Sequence, residues 1–486
     1  MTEKTKKRNV LLICADHWPA SFLGVAGHPV IKTPGLDELA LSGTRFTNCY
    51  SECPVCIPAR RSLMTGTPPK SHGDRTFNEQ MKMPSITSLP QAFRNAGYQA
   101  DAVGKLHVFP QRDRIGFDSV VLDEEGRQQF GVMDDYDIFL GDQGYAGRQF
   151  DHGMSTNQYS FRAWHLDEYL HPTNWAARNM SRQIKRRDPT KPAFWYLGFR
   201  HPHPPLVPLQ NYLDQYKDVQ IDEPIIADWI INDENIPFPL KELKGRTRLL
   251  SNEDIIDAKK AFYALCTHID HQIRWVIGTL RDENILDDTI IVFMSDHGDM
   301  LGTHKTVAKR VFYENSSNIP MIISGVDNNE LFPEGGISNR LMGLQDVMPT
   351  LLELCGIEIP TTVDGLSMAS EANREYLYGE YGEGDTATRM IRKGNFKLIY
   401  YPVGNHMQLF NLKDDPYELR DLAREQSNSD TISEMVSHLR SELYGSDLKW
   451  IKNNELVGIP DKEYLWKAQR NLHFQRGEGW PPNMNN

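Results

Sequence analysis

The sequence predicts an α/β fold in which helices enclose a large, mostly parallel sheet, and two patterns along the chain predict it. Four short, almost entirely apolar runs each end in a cluster of polar residues, and helical patterns separate these runs. Apolar runs of this kind are typical of parallel strands that are buried on both faces. They cover residues 10–15, 98–103, 194–199 and 289–294.

Helical patterns and one further strand fill the intervals. The first helix follows Pro34, because proline fits the first turn of a helix, and the second stops before Gly97. The further strand carries Pro320 near its start, where no ladder hydrogen bond is lost. Helices are predicted at 36–41, 86–95 and 252–281, and the strand at 319–323.

After residue 370 the pattern changes to short strand-like runs separated by Gly, Asp and Asn turns, followed by a helical stretch. This order predicts a small antiparallel sheet with a helix. The runs cover 375–381, 389–392, 396–401 and 408–412, and the helix covers 431–443. We therefore expect an α/β domain at 1–370, a small subdomain at 371–450 and an extended tail at 451–486. The tail is expected to wrap around the α/β domain or a neighbouring subunit. A homo-oligomer is therefore possible.

Composition excludes several classes of protein. The 486 residues are 40% hydrophobic and 10% aromatic, as in a folded enzyme-sized protein. The net charge of −12 argues against a nucleic-acid partner, because polyanions are held by stripes of Lys and Arg. No run has the length of a membrane span, and the basic residues 1–8 precede an apolar run too short for a signal peptide. With six scattered cysteines, these features predict a cytoplasmic protein without a membrane partner.

The run from Cys56 to Gly66 joins a cysteine, a proline and an arginine in one short segment. Pro58 suits a first helical turn, so Cys56 is expected at a helix N-terminus with Arg60 one turn above it. Such an N-terminus favours a bound anion and lowers a thiol pKa. Cys53 and Cys56 also form a C-x-x-C pattern, which suits a redox pair or half of a zinc site, and a plain buried cysteine is the third alternative.

Polar residues at the ends of the first and last apolar runs supply candidate metal ligands. Asp16 follows the first run, and Asp296 and His297 follow the last. Ligands of α/β sheets bind beyond the carboxyl ends of the strands, so these residues are expected to share one crevice. Carboxylate oxygens and an imidazole suit a divalent cation. Each residue alone is explained by a turn or a helix cap, whereas the set predicts a metal site.

The order of motifs resembles that of the type I sulfatases, in the alkaline phosphatase superfamily, over roughly residues 8–425. In that family the cysteine of a C-x-P-[SA]-R signature is oxidised to formylglycine. The matching segments are Cys56-Ile57-Pro58-Ala59-Arg60 with Leu63-Met64-Thr65-Gly66, Lys105-Leu106-His107, Phe199-Arg200-His201-Pro202-His203-Pro204-Pro205, and Asp296-His297-Gly298-Asp299 with Lys309.

The resemblance implies a role for each motif residue. The implied metal ligands are Asp16, Cys56, Asp296 and His297. The implied catalytic residues are Cys56, Arg60, Lys105, His107, His203 and Lys309. The implied substrate-binding residues are His17, Arg200, His201 and His304.

The chain departs from the family pattern at His17, where a second carboxylate is expected. The implied metal is Ca²⁺. The metal site loses one formal negative charge at His17, which weakens the preference for Ca²⁺ and leaves Mn²⁺ or another softer divalent ion as the alternative. The implied cofactors are thus a divalent metal and formylglycine at position 56. A formylglycine-generating maturation enzyme is the partner that this modification requires.

The resemblance also implies how a terminal sulfate ester would be hydrolysed. One hydroxyl of the hydrated formylglycine attacks sulfur in line, and His203 with Lys309 protonates the leaving alcohol. His107 then takes the proton of the second hydroxyl, so the aldehyde reforms and sulfate departs. Arg60 and Lys105 hold the nucleophile and the oxyanion, since positioning and cationic charge dominate such transfers.

The region between the Lys-x-His and Pro-His motifs is rich in aromatic residues, His and Arg, and it predicts a saccharide substrate. Exposed rings stack on sugars and Arg pairs with anionic groups, while burial is the alternative for each residue. The residues are Tyr145, His152, Tyr159, Arg162, Trp164, His165, His171 and Trp175. A formylglycine-dependent phosphonate or phosphate ester hydrolase, or an inactive anion-binding paralogue, are the alternative functions.

Overall fold

The computed structural model of the chain describes residues 7–232, 236–327 and 329–465. Its strands are β1 (Asn9–Ala15), β2 (Gly43–Phe46), β3 (Cys49–Tyr50), β4 (Gln99–Gly104), β5 (Ser119–Leu122), β6 (Ala193–Gly198), β7 (Thr289–Ser295), β8 (Met321–Ser324), β9 (Gly336–Ser338), β10 (Met342–Gly343), β11 (Leu377–Tyr381), β12 (Thr388–Lys393), β13 (Phe396–Tyr401), β14 (His406–Asn411), β15 (Ile451–Lys452) and β16 (Glu455–Leu456). Its α-helices are α1 (Pro34–Leu41), α2 (Cys56–Thr65), α3 (Pro69–His72), α4 (Leu89–Asn95), α5 (Asp135–Asp142), α6 (Pro172–Lys185), α7 (Gln210–Leu213), α8 (Phe238–Thr247), α9 (Asn252–Asp282), α10 (Glu314–Ser317), α11 (Val347–Leu354) and α12 (Ser429–Glu442).

Eight of these strands form one large sheet in the order β5-β4-β6-β1-β7-β8-β2-β9. Within it, β8 runs antiparallel to β7 and to β2, and the other neighbouring strands pair in parallel. The predicted large, mostly parallel sheet is therefore confirmed. Every residue of β6 and β7 is buried, as expected for strands covered by helices on both faces.

Each face of the large sheet has its own apolar core. On one face, Leu11 belongs to the same buried cluster as Trp175 of α6 and Phe262 of α9. On the other face, Leu12 belongs to a cluster that contains Phe93 of α4. Because successive side chains of a strand point to opposite faces, β1 contributes to both cores. The result is the helix–sheet–helix arrangement that the sequence predicts.

A smaller antiparallel sheet follows, in the order β11-β12-β13-β14. Its Ile391 clusters with Met435 and Leu439 of α12, whereas Met390 on the opposite side clusters with Phe312 of the body. The small sheet thus lies between α12 and the large α/β part. The predicted antiparallel sheet with one helix is confirmed.

Some element boundaries differ from the prediction for local reasons. Helix α4 begins at Leu89 and not at residue 86, because Ser88 caps it by accepting a hydrogen bond from the N–H of Gln91 at 3.3 Å. Strand β8 begins at Met321, directly after Pro320, so no ladder hydrogen bond is missing.

The predicted tail is described only up to residue 465. Its first part forms the hairpin β15–β16, and Ile459 then makes a parallel bridge to Val403 of the small-sheet region. The rest of the tail, residues 466–486, lies outside the described residues. Within the described ranges, no helix combines the length and the apolar character that crossing a bilayer requires.

A buried ion-pair network attaches the small sheet to the body. The fully buried carboxylate of Asp447 accepts hydrogen bonds from Arg389 of β12 at 2.7 and 2.9 Å. It also accepts one from Arg75 of the large part at 2.8 Å. One carboxylate is therefore shared by two buried guanidinium groups that come from different parts of the chain, and Arg75 is paired in addition with the buried Glu380 at 3.0 Å.

We expect Asp447→Asn to lower the free energy of unfolding by about 3–5 kcal/mol, because breaking a buried ion pair leaves charge uncompensated. Urea unfolding followed by circular dichroism measures this. Asp385→Asn, which removes the exposed ion pair with Lys462, is the control and should change the free energy of unfolding by less than about 1 kcal/mol. Equal effects of the two variants would contradict the assigned importance of Asp447.

Candidate active site

The carboxyl ends of four neighbouring strands lie side by side. Gly104 of β4 and Cys14 of β1 both lie in register with Gly198 of β6, and Ala15 of β1 pairs with Ser295 of β7. The polar residues that follow these strands are therefore delivered to one edge of the sheet.

Cys56 lies at this edge as the first residue of α2. Its Sγ is 3.3 Å from Nε2 of His297 and 3.7 Å from Oδ1 of Asp16. Burial and Asp16 raise the pKa of the thiol, but the positive charges of Lys309, Lys105 and His297 outweigh them. The pKa of Cys56 consequently lies below its ordinary value, which is the condition for a reactive cysteine.

A set of potential metal ligands surrounds the thiol. Asp16, Cys56, Asp296 and His297 are all buried, and each offers one donor atom within 4.8 Å of the others. Nδ1 of His297 is 2.9 Å from the carbonyl oxygen of Gly298 and carries a proton, so Nε2 offers its lone pair to a cation once the ring is neutral. Two carboxylates and one such imidazole fit a divalent cation.

Arg60 connects this ligand set to the strand ends. Its Nε donates to Asp296 at 2.9 Å, and one Nη donates to Asp16 at 3.3 Å. The other Nη donates to the carbonyl oxygen of Lys105 and to the hydroxyl of Tyr196. The planar guanidinium thus holds both carboxylates in place without competing for every lone pair.

Lys105 provides a second buried cation. Its Nζ lies 2.5 Å from Asp16 and 2.8 Å from Glu125. Burial lowers the pKa of Lys105, but the two carboxylates outweigh burial and raise it above its ordinary value. Lys105 is therefore a permanent positive charge beside the thiol.

The environment of His17 accounts for the departure from the family pattern. Its Nδ1 is 2.6 Å from Asp299, whose carboxylate also accepts a hydrogen bond from Tyr159. Its Nε2 is hydrogen-bonded to Nζ of Lys309. The same Nζ lies 3.2 Å from Nε2 of His203. Burial and the charge of Lys309 lower the pKa of His17 well below its ordinary value, so the neutral His17 ring accepts a hydrogen bond from the Lys309 ammonium.

His107 closes the site on the side of β4 and β5. Its backbone N–H donates to Glu124 at 2.9 Å, and its Nε2 lies 3.1 Å from Nη1 of Arg127. Because a guanidinium can only donate, Nε2 accepts and Nδ1 carries the proton. Within the described part of the chain, that buried Nδ1 has no hydrogen-bond partner.

Several of these residues adopt strained backbone conformations. His17, His107 and Glu125 have φ values of 73°, 59° and 59°. Positive φ is uncommon for residues with a side chain and clusters at functional sites, where the surrounding structure imposes it.

The three remaining predicted substrate-binding residues, Arg200, His201 and His304, do not all lie at the site. Arg200 donates to Asp123 at 3.0 Å, and His201 lies 3.2 Å from the Thr173 hydroxyl, while both line a small cavity together with His203. His304 lies outside the cluster. Its ring packs against Trp229 and Tyr313, and its Nδ1 accepts the N–H of Ala227.

The prediction that the aromatic-rich region exposes rings for sugar stacking is wrong for most of its rings. Trp175 belongs to α6 and faces the core, and Tyr159 donates to Asp299 inside the site. Burial against the body, the alternative, applies to Tyr159, Trp164, His171 and Trp175, and His152 is also buried.

Sequence reasoning missed Glu125 and Arg127, gave Asp299 no role, and assigned Tyr159 only to the saccharide-binding region. Asp299 lies within the late motif, and Glu125 ends an acidic cluster after the short strand β5. A polar cluster at the end of a fifth apolar run was the signal that could have found Glu125. No sequence pattern marks the hydrogen bond of Tyr159 to Asp299, which depends on long-range packing.

Comparison with known proteins assigns the family. The family model described as Sulfatase matches residues 8–357, and one described as N-sulphoglucosamine sulphohydrolase, C-terminal, matches residues 302–444. An arylsulfatase of Clostridium perfringens is 34% identical over 473 residues, which cover 93% of this chain and 98% of the relative.

Two solved structures share the fold. The phosphonate monoester hydrolase of Agrobacterium radiobacter superposes with a TM-score of 0.78 at 22% identity, covering 91% of this chain and 97% of that one. A protein solved in complex with its substrate D-glucosamine-2-N,6-O-disulfate gives a TM-score of 0.71 at 20% identity, covering 90% and 97%. Since the Sulfatase model spans most of the sequence and the clostridial relative is similar along nearly all of it, the chain belongs to the sulfatase family and is a sulfuric ester hydrolase.

Proposed function

We propose that this sulfatase hydrolyses a terminal sulfate ester on a small sulfated saccharide, using formylglycine at position 56 and a divalent cation. The observation that carries the proposal is the meeting of Cys56 with carboxylates on one side and buried cations on the other. A sulfate ester is a poor electrophile ringed by negative oxygens, so cations around a positioned nucleophile are what its hydrolysis requires.

Asp16, Asp296, His297 and residue 56 would hold the cation. We propose Ca²⁺, with Mn²⁺ as the alternative because of the imidazole donor. When bound, such a cation supplies charge that polarises an ester oxygen and lowers the pKa of a hydroxyl. Arg60 keeps the two carboxylates in position for it.

Formylglycine would supply two hydroxyl groups at position 56 once its aldehyde is hydrated, one to attack sulfur and one to release sulfate. A formylglycine-generating enzyme is therefore a required partner during maturation. The helix N-terminus and the cations that lower the pKa of the Cys56 thiol would also stabilise an anionic oxygen at this position.

Lys309 is proposed to protonate the leaving alcohol. Nδ1 of His203 lies 2.5 Å from the carbonyl oxygen of Pro204, so Nδ1 carries its proton and Nε2 accepts from Lys309. With His17 as the other acceptor, two of the three ammonium hydrogens are engaged, and the third serves the ester oxygen. Burial lowers the pKa of Lys309, which makes it a better acid.

His107 is proposed to accept the proton of the second hydroxyl. Its basic nitrogen is Nε2, which Arg127 occupies. Arg127 therefore has to turn away before the proton is taken up, and its partly exposed side chain leaves room for that movement.

The saccharide assignment rests on the relatives, because most of the predicted stacking rings are buried. One neighbour was solved with a sulfated glucosamine, and the C-terminal region matches the model named for N-sulphoglucosamine sulphohydrolase. The second candidate substrate is a phosphonate or phosphate ester. It is favoured by His17, which stands where the sulfatase pattern has a second carboxylate, and the phosphonate monoester hydrolase shares the fold.

We expect one preparation to hydrolyse aryl sulfate with a kcat/KM at least about 100-fold above that for aryl phosphate or phenylphosphonate esters, a difference of roughly 2.7 kcal/mol in barrier. Parallel steady-state assays measure this, followed by a panel of sulfated mono- and disaccharides. Activity on phosphonates with none on sulfates would replace the first candidate by the second.

We expect Cys56→Ser to lower turnover on the order of 10³-fold or more, because a serine lacks the second hydroxyl that releases sulfate. Peptide mass spectrometry of the wild type should show aldehyde in place of the thiol at position 56. Cys53→Ser, at the neighbouring buried cysteine, is the matched control and should keep both the modification and turnover. An unmodified thiol in protein made with the maturation enzyme would support the inactive paralogue.

Exhaustive chelation should abolish activity and lower the melting temperature, because a ligand present at 100 times its Kd stabilises the fold by about 2.7 kcal/mol. Calcium, or manganese in the alternative case, should restore both. Asp296→Asn, which removes a carboxylate ligand, should eliminate the metal-dependent shift in melting temperature. An unchanged melting temperature and activity after chelation would exclude the metal.

A further inference from the structure

Glu125 is a negative charge inside a site built for an anion. One carboxylate oxygen lies 2.8 Å from Nζ of Lys105 and 3.8 Å from Nδ1 of His203. The other lies 2.9 Å from Nη2 of Arg127, without the alignment of a hydrogen bond. Burial opposes ionisation, but Lys105, His203 and Arg127 outweigh it and hold the pKa of Glu125 well below its ordinary value.

Holding Lys105 in place does not by itself explain this carboxylate. Asp16 already lies 2.5 Å from the same ammonium, and it is fixed by Arg60. Glu125 also adopts a strained positive φ of 59°, so the chain keeps a buried carboxylate here in an unfavourable backbone conformation. What Glu125 changes is the total charge of the site.

The charges of the cluster are closely balanced. The buried or partly buried cations are Arg60, Lys105, Arg127 and Lys309, and the carboxylates in contact with this cluster are Asp16, Glu125, Asp296 and Asp299. With the proposed divalent cation bound the site is already net positive, and removing Glu125 would add one further unit of positive charge at the place where an anion binds.

We propose that Glu125 selects the substrate by charge, favouring a singly charged sulfate ester over doubly charged anions. A sulfate monoester carries one negative charge, whereas a phosphate monoester carries about 1.5 to 2 at pH 7. The sulfate released by hydrolysis also carries two. A fixed carboxylate in this low-dielectric site repels the second charge, so it excludes phosphate monoesters and speeds release of the product. The inference deepens the proposed function, since it concerns the same site.

We expect Glu125→Gln to bind inorganic sulfate about tenfold more tightly relative to methanesulfonate, a singly charged anion that is not hydrolysed. Calorimetric titration of the metal-loaded, full-length protein measures both affinities without turnover. In assays, the inhibition constant of sulfate should fall about tenfold, and kcat/KM for aryl phosphate should rise about tenfold relative to aryl sulfate.

Glu418→Gln is the matched control. Lys397 is a buried lysine shared by Glu314 at 2.7 Å and Glu418 at 2.6 Å, which reproduces the pairing of Lys105 with Asp16 and Glu125. Lys397 belongs to the small sheet, so loss of its ion pair with Glu418 should leave both selectivity ratios unchanged. Glu125→Asp keeps the charge and should keep the wild-type ratios. Glu125→Ala, which also removes the charge, serves in place of the glutamine variant if that variant does not fold.

The opposite result has a distinct signature. If Glu125 only positions Lys105, Glu125→Gln will weaken sulfate and methanesulfonate alike and lower turnover of both esters equally. Unchanged or weaker relative binding of sulfate overturns the proposal. A wild type that hydrolyses no sulfate ester would instead overturn the proposed function, while the binding ratios would still decide the role of Glu125.

Discussion

The site depends on the guanidinium of Arg60. From α2 it reaches Asp296 after β7, Asp16 after β1 and the carbonyl oxygen of Lys105 after β4. Because Arg60 lies one turn above Cys56, these contacts fix the start of the helix against three strand ends. The parallel strands bring the candidate metal ligands to one edge of the sheet. The planar guanidinium of Arg60 then aligns Cys56 with them.

Burying so many charges together is unfavourable unless each finds a partner. The cluster satisfies this through shared contacts, since Asp16 serves both Arg60 and Lys105, and Asp299 serves His17 and Tyr159. The positive φ of His17 shows that the backbone bears part of this strain. The two apolar cores of the large sheet therefore stabilise the fold, and they offset the unfavourable free energy of burying the charges of the site.

The sequence predicted the elements with strong local signals. The apolar runs located β1, β4, β6 and β7 within one residue, and the long periodic pattern located α9, because burial on both faces and a 3.6-residue period are visible in any short window. Contacts set by long-range packing were not visible. His304 stands next to a motif in sequence but turns towards Trp229, and Trp175 faces the core because α6 packs on the sheet.

Position 17 carries no carboxylate, but a buried carboxylate lies beside it. The carboxylate that the family pattern places at position 17 is absent, but Asp299 lies 2.6 Å from the His17 ring and is itself buried. A negative charge thus lies one side chain away from the proposed cation, and the His17 imidazole separates the two. That imidazole also hydrogen-bonds Lys309, so the residue that replaces a ligand connects the metal side of the site to the proposed acid. Changes in metal preference and in leaving-group protonation are therefore expected to be coupled through this position.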